Sequence, residues 1–159
     1  MADNDSIPEN LGPLSRKVLE YERIVKHLVL RAKQPGYTKD DWAPLAELIA
    51  VDDFERIGIR REVMTWPEYL DFLTQWATSK EFETSLRRIT EVPGRVFFEI
   101  EERHIKGDDV TVINSMNVFE FDDAGRIRHL DVYIQGQLEP TVPTQSPTAA
   151  SLRPKTWSG

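Results

Sequence analysis

An asparagine and an aspartate lie in two neighbouring strand-like segments late in the chain. Side chains of these types could move a proton or hold a polar atom of a ligand. Residues 110–133 contain two alternating apolar runs around a turn signal, a pattern typical of an antiparallel hairpin. A regular hairpin places Asn117 opposite Asp131. Polar groups among aromatic ones on one sheet face predict a ligand pocket. The predicted inner face carries Ser115, Asn117, Phe119, Phe121, Ile127, His129, Asp131 and Tyr133.

The same register can be checked by its other pairs. It places Phe119 opposite His129, Phe121 opposite Ile127 and, on the outer face, Glu120 opposite Arg128. An outer charge pair of this kind contributes about 0.2–1 kcal/mol. A slip by one residue would send the aromatic side chains to the other face, so the register decides which residues share the pocket.

A second set of groups lies one hairpin earlier. Continuing the register through the turn at 106–109 and across Pro93-Gly94 puts Glu102 on the inner face and Arg87 opposite Ile100. A carboxylate with an arginine could activate water. Four residues at ~3.3 Å each separate Glu102 from the level of Asp131, so a salt bridge at the pocket rim is the alternative. Predicted neighbours on this inner face are Phe98, Ile100 and His104.

Helices must supply the other wall of this pocket. Apolar residues recur at steps of three and four over 13–32, which predicts an amphipathic helix that Gln34-Pro35-Gly36 ends. Asp40 or Asp41 can cap a second helix, and Thr65-Trp66-Pro67-Glu68 is a capping box that opens a third. Strands are predicted at 54–59, 82–92 and 95–105, followed by the final hairpin.

This order predicts one α+β domain at 13–135, with helices on one face of an antiparallel sheet. A polar lead precedes it at 1–12, and a tail rich in Pro, Ser and Thr follows at 136–159.

Composition narrows the classes of function. The chain has 159 residues, no cysteine and a net charge of −7. The missing cysteine excludes disulfides and thiol catalysis, and the acidic balance argues against a nucleic-acid partner.

No apolar run reaches the ~18 residues of a membrane helix, and the first residues lack a secretory signal, so we predict a cytoplasmic protein. No phosphate loop or nucleotide fingerprint is present, so no cofactor is predicted. The three histidines do not have the spacing of metal ligands.

The chain resembles the nuclear-transport-factor-2-like superfamily, which includes ketosteroid isomerases, SnoaL-type polyketide cyclases and limonene epoxide hydrolases. The resemblance covers about residues 14–135. It rests on the element order, on Leu48-Ile49-Ala50-Val51-Asp52-Asp53-Phe54, on residues 117–127 (NVFEFDDAGRI) and on Leu130-Asp131-Val132-Tyr133. It implies a cone-shaped α+β barrel, in which a curved antiparallel sheet wraps around about three N-terminal helices and encloses a pocket.

The resemblance also implies roles for individual residues. Asn117 falls where the isomerases place a proton-donating oxyanion-hole residue, and Asp131 falls where the epoxide hydrolases and some cyclases place a catalytic carboxylate. The isomerases' tyrosine on helix one has no evident match, and His27 or Lys26 lies nearest to its position. His27 is therefore a candidate donor, and Trp42 is either a core residue or part of the cavity lining.

Two functions follow as expectations. The first is a small cofactor-free enzyme of the isomerase, cyclase or epoxide-hydrolase type, acting on an apolar oxygenated molecule through Asp131 and Asn117. The alternative is a non-catalytic domain that binds a small ligand or dimerises. A homodimer is predicted through the outer sheet face, which carries Met116, Val118, Leu130 and Val132 in the regular register.

Overall fold

The structure is a computed structural model, and it describes residues 8–136. The helices are α1 (Pro13–Arg31), a 3₁₀ turn (Lys39–Trp42), α2 (Ala43–Ala46) and α3 (Trp66–Ser79). The strands are β1 (Glu55–Ile57), β2 (Val63–Thr65), β3 (Phe82–Val92), β4 (Arg95–Lys106), β5 (Asp109–Phe121) and β6 (Ile127–Gln135). The predicted α+β order is confirmed. The predicted lead up to residue 7 and the predicted tail from residue 137 lie outside the described residues.

The helices begin where the sequence offers caps, with two differences. Glu68 accepts a hydrogen bond from the Thr65 amide at 2.9 Å, as the predicted capping box at the start of α3 requires. Thr38 caps the 3₁₀ turn, with Asp41 accepting a hydrogen bond from the Thr38 amide at 2.7 Å, and α2 begins at Ala43 without a side-chain cap. The start of α1 has no local side-chain cap; Glu91 of β3 accepts a hydrogen bond from the Ser15 amide at 2.6 Å.

The six strands form one open mixed sheet in the order β2-β1-β6-β5-β4-β3. All neighbouring strands are antiparallel except β1 and β6, which are parallel. Strand β2 was not predicted, because its three residues carry no alternating pattern long enough to stand out.

Two β-bulges change the predicted register. In β6 the extra residue is Arg128, so that Phe121 still pairs with Ile127 but Glu120 pairs with His129. Asn117 therefore pairs with Val132, and Asp131 pairs with Val118. In β3 the extra residue is Arg87, so Leu86, not Arg87, pairs with Ile100. A bulge places two residues of one strand opposite one residue of its partner, and every residue beyond it faces the other way from a regular ladder.

The core lies between the inner sheet face and the helices. Leu130 is 2% exposed and Phe119, its cross-strand partner, is 1% exposed. Burying both Ile127 and Leu130 requires the bulge, since a regular strand would turn residues three apart to opposite faces. No helix within residues 8–136 is long and apolar enough to cross a membrane.

Candidate functional site

The predicted pairing of Asp131 with Asn117 is wrong. The bulge at Arg128 turns Asp131 to the outer sheet face, where its carboxylate lies 3.1 Å from Nε2 of His129. The other ring nitrogen, Nδ1, lies 3.4 Å from Glu55. Within residues 8–136 no group of three or more His, Asp and Glu side chains is arranged to hold a metal ion, and this outer cluster is included in that finding.

Asn117 stays on the inner face. Its side-chain amide donates a hydrogen bond to Oγ of Ser115 at 2.9 Å, and Ser115 is 1% exposed. In the same rows of the sheet, Asn117 lies beside Phe98 and Ser115 lies beside Ile100. The carboxamide is therefore held by a hydroxyl of its own strand, and Asp131 is not its neighbour.

A groove of about 590 Å³ opens between α1 and the inner faces of β3 and β4. Of the predicted ligand-binding residues, Phe98 and Ile100 line it. Leu19 of α1 and Leu86 of β3 add to its apolar surface, and Pro8 and Leu11 also line it. Its polar lining comes from Glu9, Arg16, Glu20, Glu22, Arg23, Lys26 and Thr84.

The other predicted pocket residues lie elsewhere. Phe119 and Trp42 are packed in the core at 1% exposure each, and the indole N–H of Trp42 donates to the Tyr37 hydroxyl. His27 is exposed on α1. Tyr133 and His129 lie on the outer face because of the bulge at Arg128, and Tyr133 is 59% exposed.

The predicted pair of Glu102 and Arg87 does not form. Arg87 belongs to the β3 bulge and lies on the outer side, where it donates to the Asn114 side chain and pairs with Glu99. Glu102 remains on the inner face and lies 2.8 Å from Nε2 of His104. The His104 ring stacks on Phe82 at 5.7 Å between ring centroids, which fixes the orientation of the imidazole.

Sequence reasoning missed a buried pair of tyrosines. The hydroxyls of Tyr21 on α1 and Tyr69 on α3 lie 2.5 Å apart, and α1 thus carries an inward tyrosine that the resemblance led us to expect was missing. Burial raises the pKa of Tyr21 well above its ordinary value. Burial also raises the pKa of Tyr69, partly opposed by the positive charge of Arg56. Both tyrosines lie on the apolar faces of their helices, and their phenolic oxygens were the overlooked signal.

Arg56 of β1 was also missed. It pairs with Leu130 across the parallel strands, so its side chain extends toward the inner face. The guanidinium lies over the rings of Tyr69 and Phe72, at 5.1 Å and 5.5 Å from their centroids. Only 12% of the side chain is exposed.

Several solved structures have a similar fold. The chain resembles a nuclear-transport-factor-2-like protein of unknown function from Burkholderia pseudomallei, with a TM-score of 0.62 and 12% identity over 79% of this chain and 92% of that one. It also resembles a candidate SnoaL-like polyketide cyclase from Jannaschia sp. CCS1, with a TM-score of 0.57 and 12% identity over 80% and 92%. A third structure is an epoxide hydrolase of the limonene epoxide hydrolase type from Mycobacterium tuberculosis, with a TM-score of 0.51 and 20% identity over 73% and 85%.

The protein therefore has the nuclear-transport-factor-2-like fold, as the sequence resemblance predicted. No protein-family model matches the chain, and no curated protein is significantly similar to it. At these identities the fold is shared while the chemistry differs among its members.

Proposed function

We propose that this domain binds a small, largely apolar molecule that carries a hydroxyl group, in the groove between α1 and strands β3 and β4. The observation that carries the proposal is the groove itself. Its volume of about 590 Å³ lies within the ~300–1,000 Å³ typical of ligand pockets. Phe98 and Ile100 are 2% and 5% exposed and belong to the hydrophobic core, so the floor of the groove is apolar.

A polar pair gives the groove a means of recognising the ligand. Oγ1 of Thr84 donates a hydrogen bond to Glu22 at 3.0 Å, and Lys26 lies 4.0 Å from the same carboxylate. The Glu22 side chain is 15% exposed. An ionised carboxylate only accepts hydrogen bonds, so a ligand donor such as a hydroxyl suits it. Leu19, Leu86 and the two buried floor residues would contact the apolar body.

Binding without chemistry is the function that the geometry supports best. The enzyme predicted from the sequence required Asp131 and Asn117 to meet in the pocket. These side chains lie on opposite sheet faces. A general base must come within hydrogen-bond reach of the proton that it removes. Asp131 fails this condition for any ligand in the groove.

Filling the groove tests the proposal. We expect Leu86→Trp to weaken binding of oestradiol, an apolar probe with hydroxyl groups, at least ten-fold in isothermal titration, because the indole occupies the ligand volume. Val112→Trp is the matched control, since Val112 is 48% exposed and outside the groove lining. Equal affinity for the wild type and Leu86→Trp would show that the groove is not the binding site, and so would equal weakening in both variants.

An enzymatic function is the second candidate, and Glu102 with His104 favours it. Glu102 and His104 do not themselves line the groove, but Glu102 is the cross-strand partner of Thr84, which does, and the carboxylate orients the imidazole. An imidazole held in this way is a common general base. We would incubate the protein with epoxide, ketosteroid and polyketide panels and detect products by mass spectrometry.

Two variants distinguish a catalytic pair of Glu102 and His104 from the catalytic Asp131 that the sequence predicted. If the pair is catalytic, His104→Gln should abolish turnover while the fold survives, and Asp131→Asn should leave turnover near the wild-type rate. The opposite result would return the catalytic role to Asp131. Absence of product from every panel in the wild type would leave binding as the function.

A further inference from the structure

Arg56 is a buried cation whose hydrogen bonds are incomplete. Among the described residues, its Nε and Nη1 atoms have no hydrogen-bond partner although both are inaccessible to solvent. Guanidinium groups remain charged in proteins, and an unpaired buried donor on a charged group is costly. The Tyr69 hydroxyl and the two aromatic rings contact the guanidinium, but they leave Nε and Nη1 without an acceptor.

The nearest anion does not satisfy the cation. The Glu62 carboxylate lies 3.9 Å from Nη1, which is beyond hydrogen-bond distance, and 41% of its side chain is exposed. Its other oxygen accepts a hydrogen bond from the Arg60 amide at 2.8 Å. Glu62 therefore lies on the solvent side of Arg56 and is held by the turn between β1 and β2.

Gly58 leaves room beside the cation, and the Glu62 carboxylate occupies that room. A Cβ atom added at Gly58 would overlap the Glu62 carboxylate and lie 2.9 Å from Nη1 of Arg56. Gly58 is buried and is not among the glycines with positive φ. Since backbone conformation does not require a glycine there, the space itself is the feature that the missing side chain provides.

Two aromatic rings define the rest of this site. Tyr69 is 5% exposed and lies beneath the guanidinium, whereas Phe72 is 37% exposed and reaches solvent. The two rings stack on each other with centroids 6.2 Å apart. An aromatic ligand arriving from solvent could extend this stack through Phe72.

We propose that Arg56 is the recognition group of a binding site for an aromatic carboxylic acid, and that Glu62 occupies the anion position until the ligand displaces it. The ligand carboxylate would accept a charge-assisted hydrogen bond from Nη1 of Arg56 beside Gly58, at the position where the Glu62 carboxylate now lies 3.9 Å away. The ligand ring would pack on Phe72. None of Arg56, Glu62, Tyr69 and Phe72 lines the groove, so this site is distinct from that of the proposed function.

Benzoate is a suitable probe, with benzyl alcohol as its neutral counterpart at constant ionic strength. We expect saturable benzoate binding in calorimetry and none with benzyl alcohol. Glu62→Gln should tighten benzoate binding at least three-fold, because the competing carboxylate is removed. Gly58→Ala should weaken benzoate binding at least ten-fold while Arg56 keeps its charge. Arg60→Gln, on the same turn, is the control and should change little.

Several results would overturn the proposal. They are no saturation with benzoate in the wild type, equal binding of benzyl alcohol, or an affinity that Glu62→Gln leaves unchanged. Arg56→Gln should abolish binding; if this variant does not fold, Glu62→Gln and Gly58→Ala still decide the matter. Leu86→Trp should leave benzoate binding intact, so failure of the groove proposal and failure of this one can be told apart.

Discussion

The shared hydrogen bond of Tyr21 and Tyr69 ties α1 to α3 at the centre of the molecule. Tyr21 also packs edge-on against Phe119 with ring centroids 5.1 Å apart. Ionising either phenol would place a negative charge in the core, which is why burial raises the pKa of both. The pair is therefore stable only while both hydroxyls are protonated.

The sign of the pH dependence follows directly. The pKa of each tyrosine is higher in the folded state than in the unfolded state, so the unfolded chain loses its protons first as the pH rises. The free energy of unfolding should be at its full value below about pH 10 and should fall above it. Urea denaturation between pH 8 and 11, with phenolate absorbance followed in parallel, measures this.

Tyr21→Phe is the control for that measurement. It keeps the ring contact with Phe119 and removes one ionisable group, so its stability should fall less steeply above pH 10 than that of the wild type. The cost at neutral pH should be about 1–2 kcal/mol, the usual cost of a lost buried hydrogen bond. Identical slopes in the two proteins would contradict the assignment.

Single residues also show where sequence reasoning reached its limit. Phe98 and Ile100 were predicted as ligand-binding residues, and both line the groove. Arg56 could not have been found in this way, because its burial depends on a parallel pairing between β1 and β6, which are far apart in sequence. An arginine in a short strand candidate reads as a surface residue until its neighbours are known.

At the scale of elements, the β6 bulge decides which side chains share the pocket. The predicted strands at 82–92 and 95–105 match β3 and β4 within one residue, since alternation and a Pro-Gly turn are local signals. The bulge is not local in this sense. Its trace in the sequence is the three-residue spacing of Ile127 and Leu130, which carries meaning only once both are known to face the core.

Deleting Arg128 should therefore be tolerated. The deletion removes the extra residue and leaves Phe121 paired with Ile127 and Glu120 paired with His129 in a regular ladder. We expect the free energy of unfolding to change by less than about 2 kcal/mol, within the range of ordinary point substitutions. Urea denaturation followed by circular dichroism checks this.

The matched deletion is that of Val118 in the partner strand β5. It forces residues on one side of the deletion to the opposite face, so either Phe119 and Phe121 or Ser115 and Asn117 leave the inner side. This variant should fail to fold cooperatively. If the two deletions lower the free energy of unfolding equally, then the bulge contributes to stability beyond setting the strand register.

At the scale of the whole molecule, the outer sheet face is the surface where we propose self-association. The bulge removes Leu130 and Val132 from the predicted interface, because both lie on the inner side. Met116 and Val118 remain on the outer face, beside Glu99 and Phe97 respectively. The corrected surface is less apolar than the sequence suggested, and it is bordered by the pair of Arg88 with Glu99.

Sedimentation velocity at micromolar concentration tests this dimer. We expect a species of twice the 18.4 kDa chain mass and expect Val118→Lys to convert it to monomer, because the charge would be buried at the centre of the contact. Val112→Lys, at the exposed end of the same strand, should keep the dimer. A wild-type monomer at tens of micromolar would remove the proposal.

The carboxylate that caps the first turn of α1 belongs to Glu91. It accepts a hydrogen bond from the amide of Ser15, which lies 76 residues earlier in the chain. Gly12 leaves the room for it, since a Cβ there would overlap this carboxylate. During synthesis, α1 therefore leaves the ribosome before the side chain that caps its N-terminus exists. Glu91 can cap it only after β3 has been translated and lies beside the helix.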